Sequence, residues 1–508
     1  MQGNCPLYEY KKAGVPHPVL LLRSACKLRH HQKGRLRYYG ICFVPVSYTH
    51  LLVQREEMAA FGFLVAIAAL LGASLLTLLK KPRKKVFYAR EGFIIVALAW
   101  FVVSVFGALP FWVSGAIPNF IDSLFETVSG FTTTGASILT DVEAVPMSLL
   151  YWRSFTHWLG GMGVLVFVLA IMPLAKNSGN TMHILRAESP GPQVDKLVPR
   201  MHNSAKILYA IYVGMTLLQI VLLLAGGMPV FESVTTAFGT AGTGGFSVLN
   251  DSMASFSPYL QSVVTVFMVL FGINFNIFFL VIMREYYKIL RNEELWVYLG
   301  LLFGSIILIT INVLPMFASV GESFHHAAFQ VASIMTTTGF ATVDFNMWPQ
   351  LSRTILVILM VLGACAGSTG GGIKTARVVL LGKSFVRDVR KLLRPRSVAL
   401  IKMNDRTVEE DTVRGVHSYL TAYILIALIS VLLISINNFS LETTVTSVVS
   451  CMNNIGPGLD LVGPMGNYAA FSGFSKLVLS ADMLIGRLEI FPMLMLLVPC
   501  LLYTSQGK

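Results

Sequence analysis

Four short stretches constrain this chain more than anything else in it. They read Thr132-Thr133-Thr134-Gly135-Ala136, Gly242-Thr243-Gly244-Gly245-Phe246, Thr336-Thr337-Thr338-Gly339-Phe340 and Asn453-Asn454-Ile455-Gly456-Pro457. Each runs small or polar residues into a glycine. Each follows a mostly apolar stretch too brief to cross a bilayer and lies between two long apolar segments. The glycines at 135, 245, 339 and 456 are 110, 94 and 117 residues apart, so the chain reads as an internal repeat.

The long segments read as membrane spans. The chain has 508 residues, 55% hydrophobic and 13% charged, against about 25% charged in soluble domains. Nine spans are expected, at 57–79, 91–113, 148–174, 204–226, 258–283, 296–318, 353–382, 416–437 and 473–499. The order is one lone span, then four copies of span, half-span loop, span. Charge orients them. The segments 114–152, 227–257, 320–352 and 438–472, which carry the four loops, contain no Lys or Arg. The alternate connections are basic: Lys80, Lys81, Arg83, Lys84, Lys85 and Arg90; Lys176, Arg186, Lys196 and Arg200; Arg284, Lys288 and Arg291; and ten basic residues from Arg377 to Arg414. The positive-inside rule puts these in the cytoplasm and the four loops outside. The net charge of +13 is thus a topology signal. Nucleic-acid binding is disfavoured, because the basic residues recur at span ends without interleaved aromatics. Six cysteines show no CxxC or metal spacing and read as apolar packing. Trp100, Trp112, Trp152, Trp158 and Trp348 fall near span ends or loops, where interfacial anchoring is expected for most.

Irregular backbone at membrane depth needs cover from protein or water. The stretch Ile121-Asp122-Ser123-Leu124-Phe125-Glu126-Thr127-Val128-Ser129 fits a half-helix descending from outside, with Thr-Thr-Thr-Gly returning extended. Such a half-helix points the negative end of its dipole at the membrane centre, which favours a cation there. Glycine lets backbone carbonyls turn inward, and threonine is expected to add hydroxyls near the pore. Four such loops on one axis would ring a pore with carbonyls, as in potassium channels. Small-residue helix packing would also enrich Gly, Ser and Thr, but four copies in equivalent positions favour the pore.

Further motifs stand at fixed places in this array. They are His157-Trp158-Leu159-Gly160-Gly161-Met162-Gly163, Arg186-Ala187-Glu188-Ser189-Pro190-Gly191-Pro192, Ala364-Cys365-Ala366-Gly367-Ser368-Thr369-Gly370-Gly371-Gly372-Ile373-Lys374 and Gly486-Arg487-Leu488-Glu489. With the four loops they make residues 57–499 resemble the membrane subunit of Trk/Ktr/HKT-type potassium transporters, nearest in pattern to the bacterial TrkH type. The resemblance implies an all-α polytopic membrane protein: four pseudo-symmetric helix–pore-loop–helix repeats around a central ion pore, preceded by an extra helix. It implies a homodimer gated by a cytoplasmic nucleotide-binding regulatory subunit. It also implies potassium as the transported ion, with no organic cofactor, in the bacterial cytoplasmic (inner) membrane. Two departures stand out. The family usually carries two helices before the first repeat where this chain offers one, and the second loop has glycine where the first and third have threonine.

The expected domains are an extra helix at 57–85 and repeats at 89–176, 203–288, 296–396 and 416–499. Residues 1–50 carry a basic tract and no signal-peptide order. Residues 45–51 and the tail 500–505 resemble translated sequencing-adapter read-through, so 1–50 and 500–508 are expected to be foreign to the fold. The potassium site is expected at Thr132, Thr133, Thr134, Gly135, Gly242, Thr243, Gly244, Gly245, Thr336, Thr337, Thr338, Gly339, Asn453, Asn454, Ile455 and Gly456. A gate is expected at Gly367, Ser368, Thr369, Gly370, Gly371, Gly372 and Lys374, because a glycine-dense run inside a span breaks the helix just below the third loop. A phosphate-loop reading fails, since Ile373 separates Gly372 from Lys374.

Arg487 is the one basic residue deep in the last span, and intramembrane charge is costly. It reads either as a barrier beside the pore or as the partner of Glu489. His157 reads as a packed or interfacial residue. Glu126 and Glu232 read as solvated vestibule groups. The basic inner connections 377–414 and 176–200 are expected to dock the regulatory partner. Among function classes, potassium uptake leads. A potassium-binding subunit of an ATP-driven pump would share the loops. A cation-coupled solute carrier would show broken helices in two inverted halves, where this sequence shows four like repeats and one broken span. A membrane enzyme would need clustered intramembrane His, Asp, Glu or Cys, which the spans lack.

Overall fold

A computed structural model describes residues 57–79, 89–171, 201–394, 396, 400–488 and 490–496. The first helix, α1 (Glu57–Leu79), packs on α2 (Ala89–Val113), whose interior Pro110 meets Gly62 so closely that a Cβ there would sit 2.9 Å from the proline Cα. From α2 onward one unit recurs four times: a long helix, a half-length helix, an extended return and a second helix. The first unit comprises α2, α3 (Phe120–Phe131) and α4 (Met147–Ile171). The second comprises α5 (Met201–Ala225), α6 (Val230–Gly242), α7 (Pro258–Phe271) and α8 (Phe275–Ile282). A short α9 (Tyr286–Leu290) leads to the third: α10 (Glu293–Val313), α11 (Val320–Met335), α12 (Gln350–Leu362) and α13 (Thr375–Leu393). The fourth comprises α14 (Glu410–Ile434), α15 (Leu441–Met452), α16 (Gly473–Arg487) and α17 (Phe491–Leu496).

The half-helices are stopped at both ends by local chemistry. Asn119, Ser319 and Ser440 cap α3, α11 and α15 by accepting from backbone N–H groups one turn in. Their C-terminal halves are buried on every side, as in residues Phe125 to Phe131 of α3. The long helices instead expose apolar rows. Phe303, Ile307 and Ile311 on α10, and Leu425, Leu428 and Leu432 on α14, are each more than half exposed. Such rows suit lipid contact rather than water. Among the described residues, Ile94–Val113, Ile207–Ala225, Glu293–Met316 and Glu410–Asn437 are long and apolar enough to cross a membrane unbroken.

Three second helices are broken, where the sequence marked one. The expected span 258–283 bends by 91° between α7 and α8. Asn274 starts α8 afresh, its side chain accepting from Asn276 N at 2.9 Å. The expected span 353–382 ends at Gly363, which has φ +62°, and restarts at Thr375. The restarted helix, α13, is not the remainder of a span: its basic residues Lys383, Arg387, Arg390 and Lys391 alternate with apolar ones. The expected span 473–499 breaks after Arg487, with Ile490 at φ +65°. The breaks recur at corresponding places of like repeats, not of two inverted halves.

One antiparallel pair, β1 (Lys402–Met403) and β2 (Arg406–Thr407), lies between α13 and α14. Its turn residues Asn404 and Asp405 have φ of +51° and +63°, as a tight hairpin requires. The tryptophans are less interfacial than expected. Trp100 and Trp348 are buried, and Trp152 and Trp158 donate Nε1 to Gly107 O and Thr216 Oγ1. Of the five, Trp112 alone is exposed. The motif 186–192, the connections 80–88 and 176–200, both chain ends and Glu489 lie outside the described residues.

Candidate functional site: a ring of four loops

Each half-helix ends in the same hydrogen-bond pattern. Thr134 N donates to Ser129 O at 2.8 Å, Gly244 N to Gly239 O at 2.9 Å, Thr338 N to Ser333 O at 2.8 Å and Ile455 N to Ser450 O at 3.0 Å. The residue before each donor is left-handed: Thr133 at φ +55°, Thr243 at +54°, Thr337 at +59° and Asn454 at +55°. This is the Schellman stop, normally built on glycine. With threonine it costs about 1–2 kcal/mol per residue, and a β-branched residue there is a true outlier. The strain recurs on threonine in three repeats, so the chain retains it there against local preference, and the fourth places Asn454, which tolerates this region, at the same turn.

Two residues later comes the glycine, also at positive φ: Gly135 at +81°, Gly245 at +75°, Gly339 at +88° and Gly456 at +98°. These glycines close a ring. A Cβ on Gly135 would strike Gly244 O, one on Gly245 would strike Thr338 O, and one on Gly339 would strike Ile455 O. One on Gly456 would lie 2.7 Å from Thr134 O. Each glycine therefore abuts the carbonyl just before the glycine of the next repeat, in the order one, two, three, four and back to one.

The ring leaves its carbonyls bare. The loop N–H groups turn back to the half-helices, so the strained residue and its successor present only oxygen. Among the described residues, no donor reaches the carbonyls of Thr133, Thr134, Thr243, Gly244, Thr337, Thr338, Asn454 or Ile455. All eight residues are buried or nearly so. Buried carbonyls normally find partners. A closed ring of unpartnered carbonyls, facing half-helix C-termini that carry partial negative charge, is built to take a cation.

Most of the threonine hydroxyls are spent elsewhere, and among the described residues Thr133 Oγ1 alone of them is buried without a partner. Thr132 Oγ1 donates to Val128 O at 2.6 Å and pairs with Thr134 Oγ1 at 2.8 Å. Thr336 and Thr338 repeat this, with Thr336 Oγ1 donating to Ala332 O at 2.7 Å. Thr243 Oγ1 donates to Gly242 O at 2.6 Å. In the fourth loop Asn454 Nδ2 donates to Thr134 Oγ1 and to Met483 O, and Asn453 Nδ2 to Tyr423 OH. These side chains brace the wall, and the ring offers mainly main-chain oxygen, beside the unpartnered Thr133 Oγ1, Asn453 Oδ1 and Asn454 Oδ1.

The glycine-rich segment 363–374 lies against the ring where the half-helices end. Gly371 N donates to Thr337 Oγ1 at 2.7 Å, and a Cβ on Gly370 would lie 3.0 Å from Thr336 O. A Cβ on Gly371 would strike Asn453 O. The segment interlocks with the break in the second repeat: Cys365 N donates to Gly272 O and Phe275 N to Gly367 O. Ala366 N donates to buried Glu294 at 2.6 Å. Ser368 Oγ and Lys374 Nζ bond within the segment, to Cys365 O and Gly370 O. Gly372 takes φ +72°. Arg487 then bridges the space below the ring. Its Nη1 donates to Thr369 O at 2.8 Å and its Nη2 to Gly160 O at 2.7 Å.

A buried ion pair and a histidine stand behind the ring. Glu126 is buried and not in a solvated vestibule; it pairs with Arg153, which sequence reading does not single out. Glu232, at the start of α6, is half-buried. His157 is fully buried between Gly130 O, 2.8 Å from Nδ1, and Phe246 N, 3.2 Å from Nε2. A carbonyl only accepts and an N–H only donates, so the ring is neutral with its proton on Nδ1. Packing, and not ligation, is its role.

The family model for TrkH, described as a cation transport protein, matches residues 58–501. The chain belongs to the TrkH family. It is 36% identical over 482 residues to the Trk system potassium uptake protein TrkH of Salmonella typhimurium strain LT2, covering 92% of this chain and 99% of that one. The same-named protein of Escherichia coli K12 is 35% identical over the same shares. The crystal structure of the potassium transporter TrkH from Vibrio parahaemolyticus matches with a TM-score of 0.76 and 29% identity, over 89% of this chain and 96% of that one. This TrkH-family chain is therefore an all-α membrane transporter and not an enzyme, as the motif resemblance implied.

Proposed function

We propose that the chain takes potassium ions into the cell across the bacterial cytoplasmic membrane. The carrying observation is the closed ring of buried carbonyls that, among the described residues, no donor reaches. Its ligands are drawn from the backbone oxygens of residues 132–135, 242–245, 336–339 and 453–456, of which Gly242 O and Gly456 O also accept from Thr243 Oγ1 and Tyr468 OH. The names of the relatives, which are potassium uptake proteins, favour potassium as the cargo. The absence of Lys and Arg from the loop-bearing segments supports an outward-facing ring.

In this reading a hydrated cation sheds water into the ring, where oxygens held by strained backbone replace its shell. Glycine at the fourth place of each loop lets neighbouring loops approach until carbonyl meets α-carbon. The segment 367–372, with Lys374, is the gate, resting against the third and fourth loops. Arg487 adds a positive charge beside the path and ties the gate to α4. The working unit is a homodimer controlled by a cytoplasmic nucleotide-binding subunit, which docks on the basic inner connections 377–414 and 176–200.

The test is growth of a bacterial strain lacking its own potassium uptake systems, with the full chain expressed in its membrane. Growth at limiting potassium, with rubidium uptake above the empty vector, is expected. Membrane-inserted protein that supports neither would contradict the reading.

A further inference from the structure

The ring is braced by a buried ion pair that its own chemistry does not require. Arg153 on α4 is 3% exposed and Glu126 on α3 is 1% exposed. Arg153 Nε meets Glu126 Oε1 at 2.6 Å. The carboxylate also holds the first loop's return strand: Oε1 accepts from Ser137 Oγ at 3.0 Å and Oε2 from Ile138 N at 2.9 Å. The other arm of the guanidinium holds the second return strand. Its Nη1 donates to Ser247 O at 2.8 Å, two residues past Gly245. Its carbon sits 3.6 Å from the centroid of the Phe246 ring, close enough for a cation–π contact. Phe246 in turn stacks on His157 with centroids 4.1 Å apart. The network reaches the fourth loop as well, because Ser137 O accepts from Tyr468 N at 2.8 Å and Tyr468 OH donates to Gly456 O at 2.9 Å. The third loop is one step further from Arg153: Ser333 Oγ donates to Phe340 O, and Ala341 meets the second return strand at Ser252 Oγ and Met253 N.

We infer that Arg153 is a positioning residue for ion selectivity: its guanidinium fixes the return strands of the first and second loops and so aims the ring carbonyls. The inference rests on the ring being the selectivity filter. Arg153 touches no ring oxygen. Its charge is neutralised by Glu126, so the pair adds little field at the pore. The planar fork is what matters. It sends Nε to a carboxylate and Nη1 to a carbonyl in different repeats, and an ammonium cannot match that geometry. Aim matters because the loops are strained; a strand released at Ser247 frees the left-handed Thr243 to relax.

The test is rubidium and sodium flux by the full chain in liposomes, with thermal stability measured alongside. The variants are Arg153→Lys, Glu126→Gln and Arg153→Gln/Glu126→Gln. Arg153→Lys is expected to fold and to lower the rubidium-to-sodium flux ratio about tenfold, equivalent to about 1.36 kcal/mol of differential barrier. The double variant removes both buried charges together, so it is expected to regain stability over Glu126→Gln without regaining selectivity. A merely structural pair would show the reverse, with stability changing and the ratio fixed. If Arg153→Lys yields no folded protein, the double variant decides. A native ratio in either folded variant overturns the inference. Gly339→Ser, in the third loop, which Arg153 does not bond, is the control. If it too leaves the ratio unchanged, the filter reading fails and this inference falls with it; if it alone lowers the ratio, only the role of Arg153 is refuted.

Discussion

Arg487 sets a guanidinium between Thr369 O of the glycine-rich segment and Gly160 O of α4. It stays charged at any physiological pH. At an effective dielectric near 20, a unit charge 4 Å from a passing cation opposes it by about 4 kcal/mol. Water and the two carbonyls screen that to about 1–2 kcal/mol, or roughly 5- to 30-fold in rate. Arg487→Ala is therefore expected to speed rubidium flux by that factor while leaving the ratio of rubidium to sodium unchanged. Flux measured per folded transporter checks it. A loss of both flux and thermal stability would mean that Arg487 serves only to tie helices together. The residue scale is also where the sequence is least informative. It suggests that Thr132, Thr336 and Thr243 offer hydroxyls to the pore, yet they bond backbone carbonyls in their own half-helices. Side-chain direction in a strained turn depends on φ, which composition does not reveal. Glu126 reads as solvated because its partner, Arg153, stands 27 residues away and meets it only after the fold closes.

At the scale of elements, the half-helices and their loops are legible in the sequence, because a short apolar stretch ending at Gly between two spans has few other solutions. The glycine-dense segment after Gly363 is legible for the same reason. The breaks at Gly272 and Arg487 are not. Gly272-Ile273-Asn274 sits in a continuous apolar run, and one asparagine restarts the helix. That break has a function in the structure: Gly272 O and Phe275 N pair with Cys365 N and Gly367 O. Two irregular segments thus satisfy each other's backbone where lipid could not. Deleting residues 368–371 removes the contacts to Thr337 and Arg487 but keeps the Cys365 and Gly367 pairs. It is expected to raise basal rubidium flux severalfold and to blunt control from the cytoplasmic side. Unchanged flux in a well-inserted deletion would make the segment a packing element.

On the scale of the whole molecule, three different loop sequences, one of them used twice, make one ring. The second loop keeps only the middle threonine of the first and third, and the fourth carries Asn-Asn-Ile. All four nevertheless share the left-handed residue, the bond back to the half-helix and the glycine. The common requirement is backbone geometry, so the loops could diverge in side chains while the ring persisted. Each glycine meets a carbonyl of the next repeat, so no loop is independent of the others. The most direct measurement is the rubidium-to-sodium flux ratio in liposomes for the native chain and for Gly135→Ser, Gly245→Ser, Gly339→Ser and Gly456→Ser, one at a time. A ratio well above one in the native chain, lowered by each substitution in turn, is the expected result. A native ratio near one, or four variants that keep the native ratio, would contradict a cation filter built from these loops.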